Sequence, residues 1–83
     1  MSEKNPEEEE IVYSVHQLDD KRQVRVFSSP FRGKVKVHVR EFYRRSQDSE
    51  YLIGRGMTFP PSALEEVTKG LFLAGELLKG IED

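Results

Sequence analysis

The sequence has 83 residues and no cysteine. That excludes a disulfide framework and any thiolate metal site, and it is compatible with a reducing compartment. Glycine and proline stand at ordinary levels, six and four, but no Gly-rich loop of the phosphate-cradling kind is present. Long apolar runs are missing too. Nothing approaches the roughly 20 residues needed to cross a bilayer, and the N-terminus has no apolar signal core, so a soluble, intracellular protein without membrane contact is expected. Histidine occurs twice. His16 reads as structural, and neither it nor His38 sits in a carboxylate cluster at metal-ligand spacing. Hence no metal, no cofactor and no catalytic residue is expected, and the chain does not read as an enzyme. Glu41, embedded among cations, reads as an internal ion-pair partner, not a general base.

What the sequence does contain is charge, unevenly placed. Residues 1–10 hold Glu3 and Glu7 to Glu10 against Lys4, a net −4 and no apolar residue after Met1; they are expected to form a disordered acidic tail. Residues 20–45 hold Lys21, Arg22, Arg25, Arg32, Lys34, Lys36, Arg40, Arg44 and Arg45 against Asp20 and Glu41, a net +7. The overall charge of −2 hides this basic middle, which is the electrostatic footprint of a polyanion binder.

Residues 11–83 then read as one domain. Ile11 to Leu18 is β-branched and aromatic, a first strand closed by a turn at Asp19-Asp20. Arg22 to Phe27 alternates polar and apolar, a second strand with Arg22 and Arg25 facing out, and Ser28-Ser29-Pro30 is expected to break it. In the third strand Val35, Val37 and Val39 share one face, and Lys34, Lys36, His38 and Arg40 share the other, one side chain about every 7 Å. Phe42 and Tyr43 continue it. A fourth strand is expected from Glu50 to Phe59, ended by Pro60-Pro61, and Pro61 suits the first turn of a helix whose N-terminal end Glu65 and Glu66 complement. Leu64, Val67, Leu71, Ala74, Leu78 and Ile81 recur at spacings of three and four, with Phe72 and Leu77 beside or behind that stripe. So wide an apolar surface is expected to cover the sheet and also meet a second helix, giving a homodimer. A chain this small buries only about 60% of its unfolded surface and gains from such association. The order is β-β-β-β-α, an α+β domain with a four-stranded antiparallel sheet and a C-terminal helix.

Phe31-Arg32-Gly33-Lys34 falls at the turn between strands two and three, where Gly33 supplies backbone freedom. Phe31 puts an aromatic face beside two cations, and Tyr43 puts another at the far end of the basic strand. Bases stack on aromatic faces for about 1–3 kcal/mol each whatever their identity, while cations follow the phosphates. The pattern points to sequence-tolerant binding of single-stranded nucleic acid. Two other readings stand beside it: a merely solvated basic face, and a protein-interaction dimer whose basic face meets an acidic partner.

Phe31-Arg32-Gly33-Lys34-Val35, then Val39-Arg40-Glu41-Phe42-Tyr43, then Gly54-Arg55-Gly56-Met57-Thr58-Phe59 and Pro61 before a helix, resembles the C-terminal domain of transcriptional positive cofactor four, the p15 coactivator. That family's pattern is Phe-Lys-Gly-Lys-Val, Ile-Arg-Glu-Tyr-Trp, Gly-Arg-Lys-Gly and a helix led by Asn-Pro, and the likeness spans about residues 22–72. It implies a curved, whirly-like sheet, a dimer formed on the helix side, and single-stranded DNA on the outer sheet faces. Carried over residue by residue, it implies nucleic-acid contacts at Phe31, Arg32, Lys34, Arg40, Tyr43 and Arg55. The outward Arg22, Arg25, Lys36 and His38 join them from the strand pattern. Tyr43 replaces a tryptophan, the turn before Phe31 is longer by two residues, and a ten-residue acidic segment stands where the eukaryotic coactivator has a long Ser- and Lys-rich region. These departures imply a compact, bacterial-type member. DNA with RNA as the alternative polymer, transcription-machinery proteins as further partners, and a cytoplasmic, nucleoid-associated location (nuclear in a eukaryote) complete the expectations, with transcription regulation or recombination and repair as the process.

Overall fold

Two short turns place three of the four strands. At the first, the Asp19 carboxylate accepts a hydrogen bond from the Lys21 backbone N–H at 2.8 Å and pairs with Arg22 Nε at 2.9 Å. That side chain closes the turn in place of backbone, and the two contacts, the backbone N–H first, hold the Asp19 carboxyl below its ordinary range. At the second, Arg32 and Gly33 both take positive φ, 52° and 77°, which is the two-residue hairpin turn whose twist matches that of paired strands. Gly33 adopts it freely; Arg32 adopts it at a cost of about 1–2 kcal/mol.

The computed structural model describes residues 4–81. Residues 1–3 of the acidic tail and the last two residues lie outside it. The strands are β1 (Ile11–Asp19), β2 (Arg22–Phe31), β3 (Lys34–Tyr43) and β4 (Leu52–Phe59), followed by a 3-10 turn (Pro61–Ala63) and a helix, α1 (Leu64–Leu77). They form one antiparallel meander in the order β1-β2-β3-β4, so the expected four-stranded sheet with a C-terminal helix is the fold. Pairing irregularities at Val12/Ser14, Gln17/Asp19 and Arg40/Phe42 bend the strands and increase their twist, which curves the sheet.

One expectation fails instructively. β2 is not broken at Ser28-Ser29-Pro30 but runs on to Phe31, with Pro30 opposite Val35. Pairing of β1 with β2 stops at Ser28, opposite Ile11. Pro30 therefore lies where β2 is an edge on that side, and a proline that offers no N–H there loses no ladder bond.

Register assigns the two faces. Val24, Val26, Ser28, Val35, Val37, Val39, Met57 and Phe59 fall on one; Gln23, Arg25, Phe27, Ser29, Lys34, Lys36, His38, Arg40 and Phe42 fall on the other. Core is scarce on both: among the described residues only Phe27 and Val37 are buried hydrophobics, one per face. Ser28 is buried as well, with its hydroxyl bonded to that of Tyr13 at 2.8 Å.

The helix departs from expectation more strongly. Pro61 does open its first turn, with Glu65 and Glu66 following, but no α1 residue is buried. The 3-10 turn meets β3, and Leu64 faces Val35 and Val37 across an open apolar concavity that Pro6 and Tyr13 also line. Leu71, Leu77 and Ile81 are 65%, 82% and 69% exposed. The stripe does not cover the sheet of its own chain. Upstream, Asn5 organises a turn, its side chain accepting the Glu7 N–H at 2.9 Å and its carbonyl those of Glu8 and Glu9.

Candidate nucleic-acid interface

The β2–β3 hairpin presents Phe31 at 58% exposure, with the Arg32 guanidinium 5.1 Å from its ring centroid. Lys34, directly opposite Phe31, is exposed. From there Lys36, His38 and Arg40 follow on the same face of β3, as the alternation predicts, joined across the ladder by Ser29, Phe27 and Arg25.

Within that row the residues differ in role. The His38 ring stacks on Phe27 with centroids 4.6 Å apart, and its two nitrogens bond Ser29 Oγ and Thr58 Oγ1, each at 2.8 Å. Burial first, then the Arg40 charge, push its pKa below the ordinary value. His38, which the strand pattern presents as an outward nucleic-acid contact, is thus a neutral bracket tying β2, β3 and β4. Arg40 lies across β4 and donates from Nη2 and Nε to the Gly54 carbonyl at 2.8 and 3.3 Å. That path exists because residue 56 is glycine: a Cβ there would come within 2.6 Å of both Arg40 Cα and Cγ.

Two expected contacts fall elsewhere. Arg22 and Tyr43 oppose each other in the ladder, and their parity puts them with Glu41 on the side of the valines. Arg22 is neutralised there by Asp19 at 2.9 Å and Glu41 at 3.8 Å, the ion-pair role read for Glu41. Tyr43 packs against Gly54, outside the cation row. Arg55 is exposed and, like Gly54, has no register partner where pairing shifts between Arg40 and Phe42. Among the described residues, the only ion pairs are those of Arg22, Lys69–Glu66 within the helix, and Lys79–Glu76 at its C-terminal end. Arg25, Arg32, Lys34, Lys36, Arg40 and Arg55 therefore present unneutralised charge.

Three residues that sequence reasoning passed over belong to the cation face. Phe42 sits in line with Arg40, and its even spacing in the third strand was the signal for it. Arg44 is the next even position, just past the end of β3, and Tyr51 comes from the β3–β4 connection, where no periodicity marks it; the Arg25 and Arg44 guanidinium groups both lie against its ring. No three His, Asp or Glu side chains converge as a metal site among the described residues, and no helix is long and apolar enough to cross a membrane.

A small curved sheet with one apolar face, one cation-and-aromatic face and a C-terminal helix defines a class: a β-sheet module that offers a polyanion a charged platform. The family described as Transcriptional Coactivator p15 (PC4) matches residues 16–70, and the chain belongs to that family of DNA-binding, coactivator-type proteins. Its fold is similar to the crystal structure of a PC4 homologue from Burkholderia pseudomallei K96243 in two crystal forms. The TM-score is 0.71 and the identity 25% in both. The orthorhombic form covers 81% of this chain and 90% of that one, and the tetragonal form 80% and 97%. A comparison with curated proteins finds no match.

Proposed function

We propose that the protein binds single-stranded DNA, largely without regard to sequence and without catalysis, as a homodimer that supports transcription regulation or DNA recombination and repair. The observation that carries this reading is the unneutralised row Lys34, Lys36 and Arg40 ending at an exposed Phe31. The row supplies phosphate contacts at the pitch of an extended strand and the ring supplies a stacking platform. Phe31, Arg32 and Lys34 form the leading contact, with Arg40, Arg25 and Arg55 following. Tyr43 and Arg22 serve a strand only where it wraps over the sheet end. The homodimer reading rests on the uncovered stripe of α1. In a bacterium such a protein acts in the cytoplasm at the nucleoid, and in a eukaryote in the nucleus, with transcription-machinery proteins as further partners.

The test is a titration of fluorescent oligo-dT, its duplex and the matching RNA at several salt concentrations. Single strands are expected to bind more tightly than duplex, with log K falling against log salt at a slope of about −0.7 per phosphate neutralised. Duplex binding as tight as single-strand binding overturns the reading. Equal RNA affinity moves it to single-stranded nucleic acid in general, and an NMR spectrum unmoved by any oligonucleotide favours an acidic protein as the partner.

A further inference from the structure

At the end of the cation face remote from the Phe31 hairpin, four planar side chains lie in layers. The Arg25 guanidinium is 4.2 Å from the Phe42 ring centroid and 5.4 Å from that of Tyr51, and Arg44 is 4.6 Å from Tyr51. Tyr51 precedes β4, yet its hydroxyl accepts a hydrogen bond from Gln17 Nε2 on β1 at 2.7 Å, so the side chain crosses towards the opposite edge of the sheet. Gln17 Oε1 accepts from Gln23 Nε2 at 2.7 Å, and Gln23 Oε1 accepts from Arg25 Nε at 2.6 Å. The chain Tyr51–Gln17–Gln23–Arg25 thus closes on itself through the contact between Arg25 and the Tyr51 ring.

The closed ring has a chemical consequence. Arg25 is held at Nε and lies against two aromatic rings, and among the described residues its Nη groups have no hydrogen-bond or ion-pair partner, so they remain for a ligand. Arg44 is held likewise, its Nε donating to the Asp20 carbonyl at 2.9 Å and its Nη1 to the Gln47 carbonyl at 3.1 Å. No carboxylate lies within ion-pair distance of either arginine among the described residues. Two immobilised guanidinium groups sharing one tyrosine repel each other, and each cation–π contact returns only about 0.5–1 kcal/mol in water. A guanidinium edge fixed in one orientation fits the two oxygens of a phosphodiester, with its ordering entropy already lost before the ligand arrives.

We propose that this layered stack is a phosphodiester subsite: Arg25 and Arg44 are its contacts, Tyr51 is the residue that positions both, and the nucleic-acid path continues past Arg40 to the β3–β4 end of the sheet. The inference rests on the single-strand reading above. From Lys34 to Phe42 the face is about 27 Å long at roughly 3.4 Å per residue, room for about four nucleotides of an extended strand.

The experiment compares an eight-residue oligo-dT on the full chain, Tyr51→Ala, Tyr51→Phe and Arg44→Gln, with folding followed by circular dichroism. Tyr51→Ala and Arg44→Gln are each expected to weaken binding about tenfold, the size of one charge-assisted hydrogen bond, and to make the salt slope shallower by about 0.7. Tyr51→Phe keeps the ring and is expected to lose less. If Tyr51→Ala does not fold, Arg44→Gln decides alone, since its side chain lies at the surface of the connection. Affinity within twofold of the parent with an unchanged salt slope overturns the subsite and leaves the single-strand reading intact. A parent protein that binds duplex as tightly as oligo-dT overturns both.

Discussion

Gly56 determines where Arg40 can lie. Any side chain at 56 collides with Arg40 Cα, which is backbone and cannot swing aside. Gly56→Ala is therefore expected to cost about 1–3 kcal/mol, as overpacking does, and to displace the guanidinium from the Gly54 carbonyl. Denaturant midpoints at fixed protein concentration check the first effect and oligo-dT affinity the second. An unchanged midpoint would mean that β4 moves away from Arg40 without loss. His38 carries a separate prediction. Its folded pKa is depressed by burial and by Arg40 against a smaller opposing pull from Glu10, so the unfolded chain takes up the proton first. Stability is then complete above the unfolded value of about 6.5 and declines as pH falls from there towards the folded value. The difference in midpoint between the parent and His38→Gln should shrink between pH 8 and pH 5; a constant difference would show that the ring is not held neutral.

At the scale of elements, β3 shows why some of the site was legible. Alternation is a local property, so Lys34, Lys36 and Arg40 on one face and Val35, Val37 and Val39 on the other follow from the pleat alone. The same rule puts Phe42 at the end of the cation row and Tyr43, the position the family likeness marks, on the opposite face of the pleat. The hairpin was legible from Gly33, but the positive φ of Arg32 was not, because a non-glycine residue enters that region only under constraint from the paired strands. The N-terminal segment belongs at this scale too. Glu7 lines a concavity with Gly33, Lys34 and Lys36, which places a carboxylate beside the start of the proposed path. Deleting residues 1–10 is expected to raise oligo-dT affinity severalfold at low salt, and by less at high salt as screening shortens. Equal affinity of the two forms would show that the segment stands clear of the strand.

The whole molecule exposes 7101 Å², against about 5,100 Å² for a folded monomer of this mass. Its radius of gyration of 14.8 Å likewise exceeds the roughly 12 Å of a compact domain of this length. The excess is comparable to the area that a stable association removes, and much of it is apolar: the α1 stripe and the open concavity under Leu64. Leu71→Glu is expected to shift sedimentation at tens of micromolar from dimer to monomer and to lower stability. A parent protein that sediments as a monomer would remove the dimer.

What the sequence determined by itself is therefore local and periodic. The four strands, the helix and its proline start, the cation row, the Phe31 hairpin and the family likeness all rest on spacing between neighbours. Tertiary structure decided the rest: that β2 passes through Pro30, that Arg22 is spent on ion pairs, that His38 is a bracket, that α1 leaves its own sheet uncovered, and that Tyr51 gathers Arg25 and Arg44. Each of these depends on which distant segment lies across the strand. Such pairings are fixed by register and by the edges the meander leaves, which no periodicity along the chain records.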